Sequence, residues 1–155
     1  MAPEPLHAGD PRHPDHDAWL LELGRASYQA ARVAGIAFDL LRIFGDHESS
    51  DLYSDVLGRL IAKLRAVPVD RVPGIDELID QMDQARIDRN DLIHALPVAH
   101  GLHRRKSDDP GYVRNFYDVA DLEAVTAVLK ATSRQGNALL YHDGGAAIRD
   151  WYARA

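Results

Sequence analysis

Arg89, Asn90 and His94 are the residues of this chain whose types and spacing can do chemistry. Cleaving an RNA phosphodiester takes one group that moves a proton and another that holds the charge building up on phosphorus. An imidazole accepts and donates protons near neutral pH. His94 can therefore take the proton of a ribose 2'-hydroxyl or give one to the leaving oxygen, a role worth about 10²- to 10⁴-fold in rate. A guanidinium keeps its charge, so Arg89 can stabilise the phosphate as charge develops. Ordinary structural roles compete with these: an ion pair with an acid at the core edge for Arg89, and hydrogen bonds to backbone carbonyls at a helix end for His94.

Residues 85–97, which carry them, read as the last turns of an amphipathic helix stopped by Pro97. From Ile75, the positions Leu78, Ile79, Met82, Arg86, Arg89, Ile93 and Leu96 follow at three- and four-residue steps. Two arginines thus hold places where apolar side chains are expected, and a guanidinium there must meet a carboxylate, reach water or face an anion in a cleft. The spacing predicts a helix from about Ile75 to Leu96, with Asp76, Glu77 and Asp80 at its positive end and His94 in its final turn. Five residues rotate an ideal helix by roughly 140°. Arg89 and His94 therefore converge only at a boundary between faces or against a second subunit.

The rest of the chain predicts an all-α fold, a bundle of four or five helices with a loop or small hairpin at about 98–118. Asp17 is an N-cap candidate for a long first helix ending near Gly45, with Trp19, Leu20, Leu23, Ser27, Ala31, Ala34, Phe38 and Leu41 as its apolar stripe. Small residues such as Ala26, Ala30 and Gly35 leave room for another helix, from this chain or a second copy. A second helix is predicted around Leu52 to Leu64, capped by Ser50 or Asp51 and ending before Pro68. Beyond Pro97, Asp109-Pro110-Gly111 marks a turn between the basic run His103-Arg104-Arg105-Lys106 and an extended-looking stretch at 112–117. Asp118 or Asp121 then begins a helix with Leu122, Val125, Leu129, Ser133, Gly136 and Leu140 on its stripe, which Asp143-Gly144-Gly145 breaks to leave a short last helix.

With 155 residues, 46% of them apolar, the chain suits a single helical domain at 17–155, preceded by a flexible amino-terminal arm, 1–16, in which His7, His13 and His16 lie among prolines and acids. The absence of cysteine rules out disulfides and cysteine-ligated metal sites. No stretch is apolar enough to span a membrane and the arm is unlike a secretory signal, which points to a soluble, cytoplasmic protein. A net charge of -6 argues against a general nucleic-acid coat. Recognition of a few phosphates stays open, and Arg104, Arg105 and Lys106 either line a groove for them or form a plain solvated loop.

Arg89-Asn90, three further residues and His94, late in a helix and just before a proline and a loop, resembles the signature of HEPN domains, an arginine and a polar residue followed by a histidine within a small all-helical bundle. The resemblance covers six residues in identity and most of the chain in architecture. It implies a homodimer that brings two copies of the motif into one cleft, and a metal-independent endoribonuclease without cofactor, serving as a toxin or a defence component. On that resemblance Arg89 stabilises the transition-state phosphate, His94 is the acid or base, and Asn90 orients the pair or contacts the RNA backbone. RNA is then the substrate, and an antitoxin or other neutralising protein a further partner. A dimer also meets the geometric difficulty, because Arg89 of one copy and His94 of the other can approach one phosphate.

Two other readings use the same residues. One is a non-catalytic dimeric HEPN-like module that binds RNA, a nucleotide or a protein partner. The other is a metal-dependent hydrolase with Asp91, His94, His100 and His103 as candidate ligands, although their spacing matches no recognised site and lacks a helical i, i+4 pair.

Overall fold

The computed structural model describes residues 6–93, 96–98, 101–105, 113–114 and 118–154. Helices dominate: α1 (His16–Phe44), α2 (Ser49–Leu52), α3 (Leu57–Leu64), α4 (Ile75–Ile93), α5 (Val119–Leu140) and α6 (His142–Arg154). Between α4 and α5 lie three short strands, β1 (Leu96–Val98), β2 (Gly101–Arg105) and β3 (Val113–Arg114), all antiparallel in the order β1-β2-β3. The fold is the all-α bundle that the periodicity predicts, and α2, a single turn of four residues, brings the helices among the described residues to six.

The central pair is α1 against α5, with α3 and α4 packed alongside. The close approach comes from Gly136, where an added Cβ would collide with Cγ2 of Ile36. On α1 the buried face overlaps the predicted stripe at Trp19 and Leu41, with Leu23, Ala34 and Phe38 half-buried, but is rotated from the rest of it. Trp19, Glu22, Ala26, Ala30, Val33, Ala37 and Leu40 point inward, while Leu20, Ser27 and Ala31 are exposed. Glu22, a charged residue, lies on this buried face, with Arg25 Nη1 3.1 Å from its Oε2.

The predicted second helix is in fact two. Val56 is extended at φ -77° and ψ 159°, and the break places the Asp55 carboxylate where both Lys63 Nζ, at 2.6 Å, and Arg59 Nη1, at 3.8 Å, reach it. The predicted third helix is described as far as Ile93, and Leu96, which the spacing placed at its end, belongs to β1. Asp118 caps α5 by accepting from the Asp121 N–H at 2.9 Å, while Asp121 Oδ2 accepts from the Asp118 N–H at 3.0 Å, so both candidate starts take part in one capping box. The break falls at Tyr141, two residues before the predicted Asp143-Gly144-Gly145, and these lie in the first turn of α6, where Gly144 and Gly145 take φ +65° and +77°.

Two apolar clusters result. The larger one runs through the middle of the bundle, from Val33 and Leu40 on α1 to Leu64, Ile75, Leu78, Met82 and Leu129. The smaller one, Ala8, Trp19, Ala26, Leu92 and Leu122, sits where α1 and α5 begin and α4 ends. Ala8 belongs to the segment predicted as an arm. Residues 6–15 form successive turns in which Asp10 accepts two N–H groups of the Arg12 guanidinium, at 2.9 and 2.7 Å, and His16 Nδ1 donates to the Ala8 carbonyl at 3.1 Å. Among the described residues no helix is long and apolar enough to cross a membrane.

Candidate active site

The stripe of α4 continues as predicted up to Met82 and then runs through Ala85, Arg89 and Leu92, with Arg86 at its edge. Leu92 anchors the end of the helix in the small cluster, so Arg89 and Asn90 are held one turn short of a fixed point. Both are half-buried. Asp91, next to them, is buried.

The two arginines of α4 are treated differently. Arg86 lays its stem beside Gly58 of α3, and its Nε donates to Asp83 Oδ1 at 2.8 Å. It is an ion-paired arginine at the core edge. Arg89 donates from Nη1 to the side-chain oxygen of Asn90 at 3.2 Å, and no carboxylate among the described residues forms an ion pair with it. The preceding acid, Asp88, accepts from Gln84 Nε2 at 3.2 Å. A neutral amide oxygen leaves the charge of the guanidinium uncompensated and most of its five N–H donors available to an anion.

His94 and Lys106 lie outside the described residues, and so do His100 and the turn at 109–111. Arg104 and Arg105 are described through their backbone, as the last two residues of β2. Leu96 is the register partner of His103, so in this antiparallel pair Arg104 and Arg105 continue β2 toward the end of α4. Arg104 is in turn the register partner of Arg114 on β3. Arg114 therefore joins the basic set, although it stands nine residues from Arg105 in sequence and only the strand register reveals the connection.

Among the described residues no group of three or more histidine, cysteine, aspartate or glutamate side chains is arranged to hold a metal ion. Of the candidate ligands Asp91, His94, His100 and His103, only Asp91 has a described side chain. No family model matches the chain, and neither a curated protein nor a solved structure does.

Proposed function

We propose that the chain is a metal-independent endoribonuclease of HEPN type, acting as a homodimer in which the Arg89-Asn90 segment of one copy and His94 of the other meet at one phosphate. The observation that carries this reading is Arg89 itself: a half-buried guanidinium on the apolar stripe of α4 whose partner among the described residues is an amide and not an acid. A purely structural arginine at such a place would be neutralised as Arg86 is, because an uncompensated charge at a core edge costs stability.

The reaction balances without a co-reactant. The ribose 2'-oxygen bonds to phosphorus as its proton passes to neutral His94, and the bond from phosphorus to the 5'-oxygen breaks. A protonated imidazole returns a proton to that oxygen, leaving a 2',3'-cyclic phosphate and a 5'-hydroxyl end. Arg89 bears on the charge that the equatorial oxygens gain in the transition state, and Asn90 holds the guanidinium in place through the 3.2 Å hydrogen bond. Arg104, Arg105 and Arg114 extend the electropositive path for the strand, and Lys106 is its expected continuation.

The test is cleavage of a mixed RNA substrate in the presence of EDTA. Wild-type protein is expected to cut, to sediment as a dimer, and to yield cyclic-phosphate ends. His94→Ala and Arg89→Ala should each lose at least about 10²-fold in rate while melting as the wild type does. Mixing the two dead variants should restore part of the activity, because a composite site recovers one intact Arg89/His94 pair in a mixed dimer. Retained cutting in both variants would sink the assignment.

A further inference from the structure

The outward face of α1 is an apolar surface that the bundle leaves uncovered. Of the small residues on that helix, Ala26 and Ala30 are buried, whereas a Cβ added at Gly24 or Gly35 meets nothing within 4 Å. Around Gly24, the side chains of Leu20, Leu21 and Tyr28 are 48%, 56% and 62% exposed, on the side of the helix opposite the buried Trp19, Ala26 and Val33. No other stretch of that length among the described residues exposes as many large apolar side chains. Such a concentration marks an interaction surface.

The charges on this face select its occupant. Asp17, Leu21, Gly24, Tyr28 and Arg32 follow one another at steps of four, three, four and four, and all are exposed. Neither Asp17 nor Arg32 forms an ion pair among the described residues. Laid antiparallel on a second copy of itself about a point between Gly24 and Arg25, the face is self-complementary: each Asp17 comes opposite Arg32 of the other copy, and each Leu21 opposite Tyr28. A parallel pairing would set Asp17 on Asp17 and Arg32 on Arg32. Gly24, at the centre, lets the two backbones approach, and Arg25 beside it is already compensated by Glu22 at 3.1 Å.

The neighbouring helix repeats the order. α5 runs beside α1 in the same direction, since Trp19 and Leu122 share the small cluster and Gly136 meets Ile36. Its exposed Glu123 precedes its exposed Lys130 and Arg134. The midpoint of Glu123 and Lys130 stands four to five residues past Leu122, and the midpoint on α1 stands five to six past Trp19, so one two-fold axis matches acid with base on both helices. Leu92, near the end of α4, packs at this same level with Trp19 and Ala26.

We propose that the outer face of α1, flanked by α5, is the surface on which a second copy of the chain docks, antiparallel, about a two-fold axis beside Gly24. The inference rests on the homodimer reading and names its interface. Such a pair sets the Arg89-bearing ends of both α4 helices at one height, where an antiparallel pair in another register would send them to opposite ends of the assembly.

The chain has no cysteine, so introduced ones report the pairing directly. Under mild oxidation the full chain carrying Gly24→Cys should form a disulfide-linked dimer, while Gly35→Cys, equally open but about 16 Å from the axis at 1.5 Å per residue, should not. Sedimentation of the wild type should show a dimer that Arg32→Asp and Asp17→Arg each weaken at least about ten-fold, because like charges then meet twice across the axis. The chain with both reversals should recover it, Arg89→Ala should dimerise as the wild type does, and helix content by circular dichroism should be the same in all. A wild-type monomer, whatever else binds this face, equal crosslinking at the two cysteine positions, an unweakened dimer in Arg32→Asp, or a double reversal no better than the single ones would each overturn the proposal. A dimer that survives Arg32→Asp and still cuts RNA in EDTA overturns this interface and leaves the ribonuclease standing, whereas a pair that obeys the charge swap but cuts no RNA supports the interface and overturns the ribonuclease alone.

Discussion

The middle of the bundle and the end where α4 stops are built on different principles. The large cluster is a continuous apolar interior in which Val33, Leu40, Leu64, Leu78 and Leu129 are wholly buried. At the other site five apolar residues share their surroundings with Asp10, Glu22 and Asp91, the three buried acids among the described residues. Burial of acids costs stability unless each is satisfied, which Arg12 does for Asp10 and Arg25 for Glu22. Of the three, Asp91 adjoins Asn90 on α4, so the one buried acid of that helix lies beside the half-buried Arg89-Asn90 pair.

Measurements can break that contrast, and the largest expected effects lie in the core. Leu129→Ala should lower unfolding free energy by about 2–5 kcal/mol, and Leu92→Ala by an amount at the low end of that range, because the small cluster has fewer neighbours to leave a cavity among. Urea titration would show it, and equal losses would mean one undivided core. Gly136→Ala comes next. Overpacking against Ile36 costs about 1–3 kcal/mol, against which a better helix former returns about 1 kcal/mol, so a net loss in calorimetric melting is expected.

Smaller still is the comparison of the α4 arginines. Arg86→Gln should cost a few tenths of a kcal/mol, about 0.2–0.5 for a partly exposed i, i+3 pair, with little effect on RNA cleavage. Arg89→Gln should leave the melting temperature within error and abolish cleavage, and the reverse outcome would make Arg89 the structural residue.

The smallest effect concerns acid. The Arg71 guanidinium, by hydrogen bond and charge, holds the Asp46 carboxyl below the usual carboxylate value. An acid with a lowered folded pKa contributes stability that is present above its unfolded value, about 3.9, and lost as pH falls through the folded value. Wild-type and Asp46→Asn proteins should therefore differ at pH 7, and the difference should shrink as pH falls below about 3.9, as read by urea melts across that range. A difference that does not shrink on acidification would rule out the ion pair as its source.

Several features were legible in the sequence because they depend on neighbours along the chain. The burial of Ile75, Leu78, Ile79 and Met82 follows from a three-and-four spacing, the start of α5 from Asp118 with Asp121 three residues on, and the break near Tyr141 from paired glycines. Arg89 stood out for the same reason, as a charge inside an apolar repeat.

Other features are decided by partners far away in sequence. Leu92 of α4 meets Trp19 of α1 and Leu122 of α5 in one cluster, and Arg114 joins Arg104 only through strand register. The stacking of Arg42 on Trp151 spans α1 and α6, and no local pattern could announce it. Periodicity and capping are short-range and fix which helices form. Which face turns inward, and which charges are left without an opposite, depends on desolvation and pairing across elements, and these exist only once the helices have packed.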